Sequence, residues 1–177
     1  MIPDGYTIRP LAGDDAAGLA AAYDRNREHL APWDPVRSPA FYTVEGQQEL
    51  VDRQLSLVVG GQLGAWVLVH DGTLVGRVNL NNVVRGVFAS GSLGYWVDRA
   101  HLRRGLASAL VDHACTRALE LGLHRVDAGT LVRNLASQRV LLGNGFEQYG
   151  MAQDYLFIAG QWQDHNLYQR ILHDRPL

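Results

Sequence analysis

The sequence predicts an α/β (α+β) fold, a mixed and mostly antiparallel central sheet flanked by helices on both faces. Three observations predict it. Residues 64–99 read as three strands in a meander, joined through Asp71-Gly72 and a loop around Gly86. An amphipathic helix over 105–121 separates that meander from a further strand at 124–132, and the chain after 146 reads as a hairpin turning at Ala159-Gly160. With 177 residues, 47% of them hydrophobic and 19% charged, the chain 1–177 is read as one domain with a sizeable core.

Taken in order, residues 6–11 form a short strand, and 13–30 a helix with Asp14 and Asp15 at its start and a stop at Pro32. Pro32, Pro35 and Pro39 mark 31–43 as an ordered, non-helical loop. Helical spacing resumes over 44–61 and ends at a glycine pair. Strands at 64–70, 73–84 and 90–99 follow. In the helix 105–121, Ala107, Leu110, Val111, Ala114, Ala118 and Leu121 share one stripe, and Gly122 is placed to cap its end. A strand at 124–132, a short helix at 134–145 and the closing hairpin complete the chain.

Charge and cysteine usage exclude several functions. Sixteen basic against eighteen acidic residues leave a net charge of -2, which provides no overall field for nucleic acid or an anionic membrane. The single cysteine, Cys115, excludes an internal disulfide and argues against a cysteine-based zinc site. His113 and His124 have no second ligand at a metal-binding spacing, so no metal is expected. The N-terminus lacks a basic segment followed by an apolar run, and the expected location is the cytoplasm.

One turn stands out. Arg103, Arg104 and Gly105 precede the long helix, where positive charge opposes the macrodipole. A glycine-containing turn between strand and helix can hold an anion on unpaired N–H groups, and there arginines become favourable. Solvated surface charge is the plainer reading of the same residues.

The segment "LRRGLA" resembles the pyrophosphate loop of the GCN5-related N-acetyltransferases, with Gly105 and Ala107 in register and Leu102 standing where Gln or Arg is usual. Within that superfamily the chain is similar to the RimJ/RimL-like protein N-terminal acetyltransferases. "NREHLAPWDPVR", "NVVRG", "LGYW", "NLASQRVLLGNGFEQYG" and, most specifically, "DYLFIAGQWQDHNLY" carry that likeness along almost the whole chain.

The resemblance implies acetyl-CoA as cofactor, with pantetheine along the strand at Tyr95, Trp96 and Val97. Pyrophosphate would lie on Arg103, Arg104, Gly105, Leu106 and Ala107. It makes Asn134 a cofactor contact and Ser137 the group that protonates or stabilises the departing thiolate, although both also suit a helix start. Asp154 is the expected base, against an ordered water or a carboxylate that merely solvates a turn. His29, Leu30, Trp33 and Tyr155 are expected to line the acceptor cleft, while Trp162, Asp164 and His165 stabilise the hairpin. Cys115 is read as core.

The reaction implied is direct attack by a primary amine, most simply the N-terminal α-amine of a protein or peptide such as a ribosomal protein. Small amines as acceptors, another acyl donor, or a non-catalytic acyl-CoA-binding module are the alternatives, and a homodimer is the family's implication for assembly.

Overall fold

The computed structural model describes residues 2–175. Seven strands form one sheet in the order β1-β2-β3-β4-β5-β7-β6. They are β1 (Tyr6–Pro10), β2 (Gly64–His70), β3 (Thr73–Val84), β4 (Ser90–Val97), β5 (Arg125–Leu131), β6 (Glu147–Ile158) and β7 (Gln161–Ile171). The helices are α1 (Ala16–Arg25), α2 (Arg27–Leu30), α3 (Val44–Val59), α4 (Leu106–Glu120) and α5 (Leu135–Gly143). Every strand pair is antiparallel except β4 with β5, which α4 connects.

Strand alternation sends apolar side chains to both faces of the sheet. On β2, Trp66 and Leu68 join the core formed with Leu110, Val111 and Ala114 of α4. Ala65 and Val67, between and beside them, pack with Leu19 and Ala22 of α1 and Val51 of α3. A strand buried on both faces needs this run of alternating destinations, and "GAWVLVH" supplies it.

Local chemistry sets the helix ends. Thr43 Oγ1 accepts the Gly46 N–H at 3.1 Å and caps α3. Gly122, at φ 77°, closes α4 while the Leu123 N–H donates to Ala118 O at 3.0 Å.

Two expectations are corrected. The helix expected over 13–30 is a 3-10 turn at Gly13–Asp15 followed by α1 and α2, broken at Asn26. The Asn26 side chain is buried, donating to Ala22 O at 2.9 Å and accepting the Arg99 N–H at 2.9 Å, which anchors the break to the turn after β4. The loop over 31–43 contains a 3-10 turn, Pro39–Tyr42. Among the described residues no helix is long and apolar enough to cross a membrane.

Candidate active site

The one parallel pair is also where the sheet comes apart. β4 and β5 stay in register from Ser90↔Arg125 to Leu93↔Ala128. Beyond that point β4 remains paired to β3 as far as Val97, and β5 to β7 as far as Leu131, so their facing edges diverge. Backbone groups on those edges have no ladder partner within the sheet. The notch opens into a cleft of about 560 Å³.

Most of the expected site residues meet there. Tyr95, Trp96 and Val97 line the cleft from β4, Arg103 and Ala107 from the turn and α4, and Asn134 and Ser137 from the start of α5. His29, Leu30 and Trp33 line its other end. Gly105 sits at the N-cap of α4 with φ 74°, and a Cβ placed on it would meet nothing within 4 Å. No side chain caps this helix and no acid lies in its first turn, so its first N–H groups are left for another acceptor. Leu106 is buried in the core, which leaves only its backbone to face that position.

Arg104 departs from expectation. Its Nη1 donates to Tyr6 Oη at 3.2 Å, an oxygen also 2.7 Å from His101 Nδ1, and it does not line the cleft. Alternate left-handed residues, Arg103 at φ 61° and Gly105, turn the two arginine side chains to different neighbours.

Asn134 and Ser137 divide the roles between them. Asn134 Oδ1 accepts the Ser137 N–H at 3.1 Å and is the N-cap of α5. The Ser137 hydroxyl is thereby free for Tyr95, whose Oη lies 2.7 Å from Ser137 Oγ. Burial pushes the Tyr95 phenol up to about 12, against the smaller opposing effect of the Ser137 hydrogen bond. Tyr95 therefore keeps its proton at physiological pH.

Asp154 lies elsewhere. The register of β6 with β7 slips between Ala152 and Leu156, and Asp154 occupies that bulge at φ 46°, exposed, with its N–H on Asp164 Oδ1 at 2.9 Å. Asp154 is not among the residues lining the cleft. Tyr155, 48% exposed, stands at the rim with its ring 5.5 Å from that of His165.

The acid that does line the cleft is Asp34. Its N–H donates to Leu30 O at 3.0 Å, and its carbonyl accepts the Ala159 N–H at 3.1 Å, pinning this loop to the tip of the β6–β7 hairpin. Burial raises its carboxyl above the ordinary value, outweighing Arg37 at 3.4 Å. The signal in the sequence was an acid inside Pro32-Trp33-Asp34-Pro35, an otherwise apolar, conformationally fixed stretch.

His165 was also missed. It is buried and lines the cleft, and its Nδ1 lies 2.9 Å from Gln163 O. A carbonyl only accepts, so Nδ1 carries the proton of this bond.

Taken together, a sheet split at its single parallel seam, an uncapped helix beneath the split, and a hydroxyl pair beside it fit an elongated nucleotide thioester. Strand edges suit its amide arm and the helix start its phosphates. Fold and site define a coenzyme A-dependent acyltransferase. Residues 6–147 match the family described as acetyltransferase (GNAT) domain. The [Ribosomal protein uS5]-alanine N-acetyltransferase of Escherichia coli (strain K12) is 33% identical over 174 residues, 94% of this chain and 88% of that protein. The crystal structure of ribosomal-protein-S5-alanine acetyltransferase from Vibrio fischeri superposes with a TM-score of 0.94 at 33% identity, covering 99% of this chain and 98% of that one. Mycobacterium smegmatis RimJ in complex with CoA-disulfide gives 0.89 at 27% identity, covering 94% and 81%. The chain belongs to the GNAT acetyltransferase family and is an acetyl-CoA-dependent N-acetyltransferase.

Proposed function

We propose that the acceptor is the N-terminal α-amine of a peptide or protein, a ribosomal protein being the example set by the relatives. The observation that carries this reading is the shape of the acceptor side. Two cavities, of about 230 and 300 Å³, adjoin through Tyr23, Asp34, Arg37 and Phe41, and Asp34 also lines the cleft. This is room for the first residues of a chain, not for an amine alone.

Bound acetyl-CoA supplies the thioester acetyl group. Asp34, rather than the exposed Asp154, takes a proton from the acceptor's ammonium and so frees the amine that attacks the thioester carbon. An α-amine ionises near about 8, so a carboxylate of raised basicity gives it sufficient help. The Ser137 hydroxyl would hydrogen-bond the departing sulfur and pass to it the proton that the nitrogen loses as the amide forms, so that Ser137 ends as it began, and Tyr95 Oη, which keeps its own proton, supports that hydroxyl from 2.7 Å. Gly105 and Ala107 would hold the phosphates of the cofactor on backbone N–H groups, with Arg103 adding charge.

The test is release of CoA with acetyl-CoA as donor, screened over peptides of varied N-terminal residue and a panel of small amines, with products identified by mass. An acetyl group on a peptide α-amine is the expected product. Turnover confined to small amines would overturn the reading.

A further inference from the structure

Arg77 is a buried cation with no ion-pair partner among the described residues. It stands on β3 opposite Trp96 and is 6% exposed. Its Nη2 donates to Gln54 Oε1 of α3 at 2.8 Å and to Asn79 Oδ1 at 2.9 Å, both neutral amides. Its Nε has no partner, and among the described residues no carboxylate oxygen forms an ion pair with it within 4.0 Å. Asp15, which feels its charge, has both oxygens committed to Arg9 and one also to the Ala12 N–H. Buried guanidinium groups are ordinarily paired, because desolvating a charge without compensation is costly.

The side chain lines the cavity of about 300 Å³, alongside Arg37, Arg53 and a single acid, Asp34. Three cations against one anion make this cavity positive. It shares Gly94, Tyr95, Trp96 and Asp34 with the cleft, so it begins where the acceptor amine must stand.

The geometry points to a carboxylate subsite, in which Arg77 receives an acceptor carboxylate while the acceptor's amine lies beside Asp34. This rests on the amine-acceptor reading above and narrows it. An amine and a carboxylate a few bonds apart are supplied by a peptide with Asp or Glu at its second or third residue, and also by a free amino acid. A guanidinium that serves only as a strut between α3 and the sheet predicts no such preference.

The experiment compares matched acceptors on the wild-type enzyme with acetyl-CoA: peptides carrying Glu or Gln at residue two or three, and free amino acids against their amides. The expected result is a kcat/KM about tenfold or more higher for the acid in one of the two arms, the scale of one charged hydrogen bond. That arm names the source of the carboxylate. Arg77→Gln should bring the acid-to-amide ratio towards one, and Arg77→Lys should keep part of it. Calorimetric titration of the CoA-saturated enzyme with the same pairs runs beside turnover. Tighter binding of the acid with no peptide turnover would fail the acceptor reading and keep the subsite. Equal binding and equal turnover of acid and amide in both arms would overturn the subsite, whatever Arg77→Gln does to stability.

Discussion

Tyr95 Oη and Ser137 Oγ stand 2.7 Å apart, one carried by β4 and the other by the first turn of α5. The contact spans the cleft below the strand divergence, and Asn134, not Ser137, caps the helix. Ser137→Ala should therefore lower kcat by roughly tenfold to a hundredfold and leave the KM for acetyl-CoA within about twofold. Tyr95→Phe should act in the same direction, and the double variant should cost little more than the worse single one. Steady-state kinetics check this, and an unchanged kcat in Ser137→Ala would remove Ser137 from the departure of the thiol.

Gly105→Glu tests the helix start. A side chain at this position meets no atom within 4 Å, although φ 74° makes any non-glycine residue strained by about 1–2 kcal/mol. The added carboxylate faces the proposed phosphate position and should weaken CoA binding tenfold or more in calorimetry, while the circular dichroism spectrum stays native.

Asp34 sets a pH dependence. Its carboxyl ionises above the ordinary carboxylate range, chiefly through burial, so kcat/KM should rise with pH through an ionisation higher than about 4. Asp34→Asn should abolish that limb and lower kcat/KM by about a hundredfold. Stability should move oppositely. A carboxyl whose pKa is raised on folding destabilises the fold once ionised, and that penalty disappears below its unfolded pKa. The Asn variant should thus melt higher than wild type at pH 7 and equal to it near pH 3.

The buried acid Asp98 has the reverse sign. Burial would raise its carboxyl, but the Asn26 amide, the Ala100 N–H and Arg25 at 2.5 Å together hold it below its ordinary value. That stability is present above the unfolded carboxyl pKa and is lost as pH falls through the lowered folded value. Arg25→Met should cost about 1–3 kcal/mol at pH 7, the lower end being favoured because Arg25 is 36% exposed, and much less in acid. Urea titrations at the two pH values measure the difference.

Cys115 is 2% exposed, and burial pushes its thiol up to about 11. It should react with a thiol reagent only on unfolding, so its labelling rate reports global opening rather than active-site chemistry.

Several elements were legible to the residue. The strands at 64–70 and 73–84 have the expected ends because Asp71-Gly72 and the preceding glycines leave one place for each turn. The break at Asn26 was not, since Asn is tolerated within a helix and only its buried contact with Arg99 fixes the interruption. The cleft lining was legible where motifs were local, as in Arg103 and Ala107 and in Asn134 and Ser137. Asp154 escaped because one bulge cancels the alternation by which a strand residue is assigned to a face. His165 and Arg77 acquire their surroundings from distant elements, and nothing in their immediate neighbours announces it, while Asp34 had only its place between two prolines as a signal.

The split between β4 and β5 also divides the sheet mechanically. Four register pairs, Ser90↔Arg125 to Leu93↔Ala128, are the only strand ladder that joins the β1–β4 plate to the β5–β7 plate among the described residues. Whatever fills the notch is held by both plates and acts as a clamp between them. Cofactor occupancy therefore governs the lifetime of the fold as well as its activity: at a hundredfold excess over Kd the clamp adds about 2.7 kcal/mol. When acetyl-CoA runs low, the enzyme loses that increment and is the less stable one.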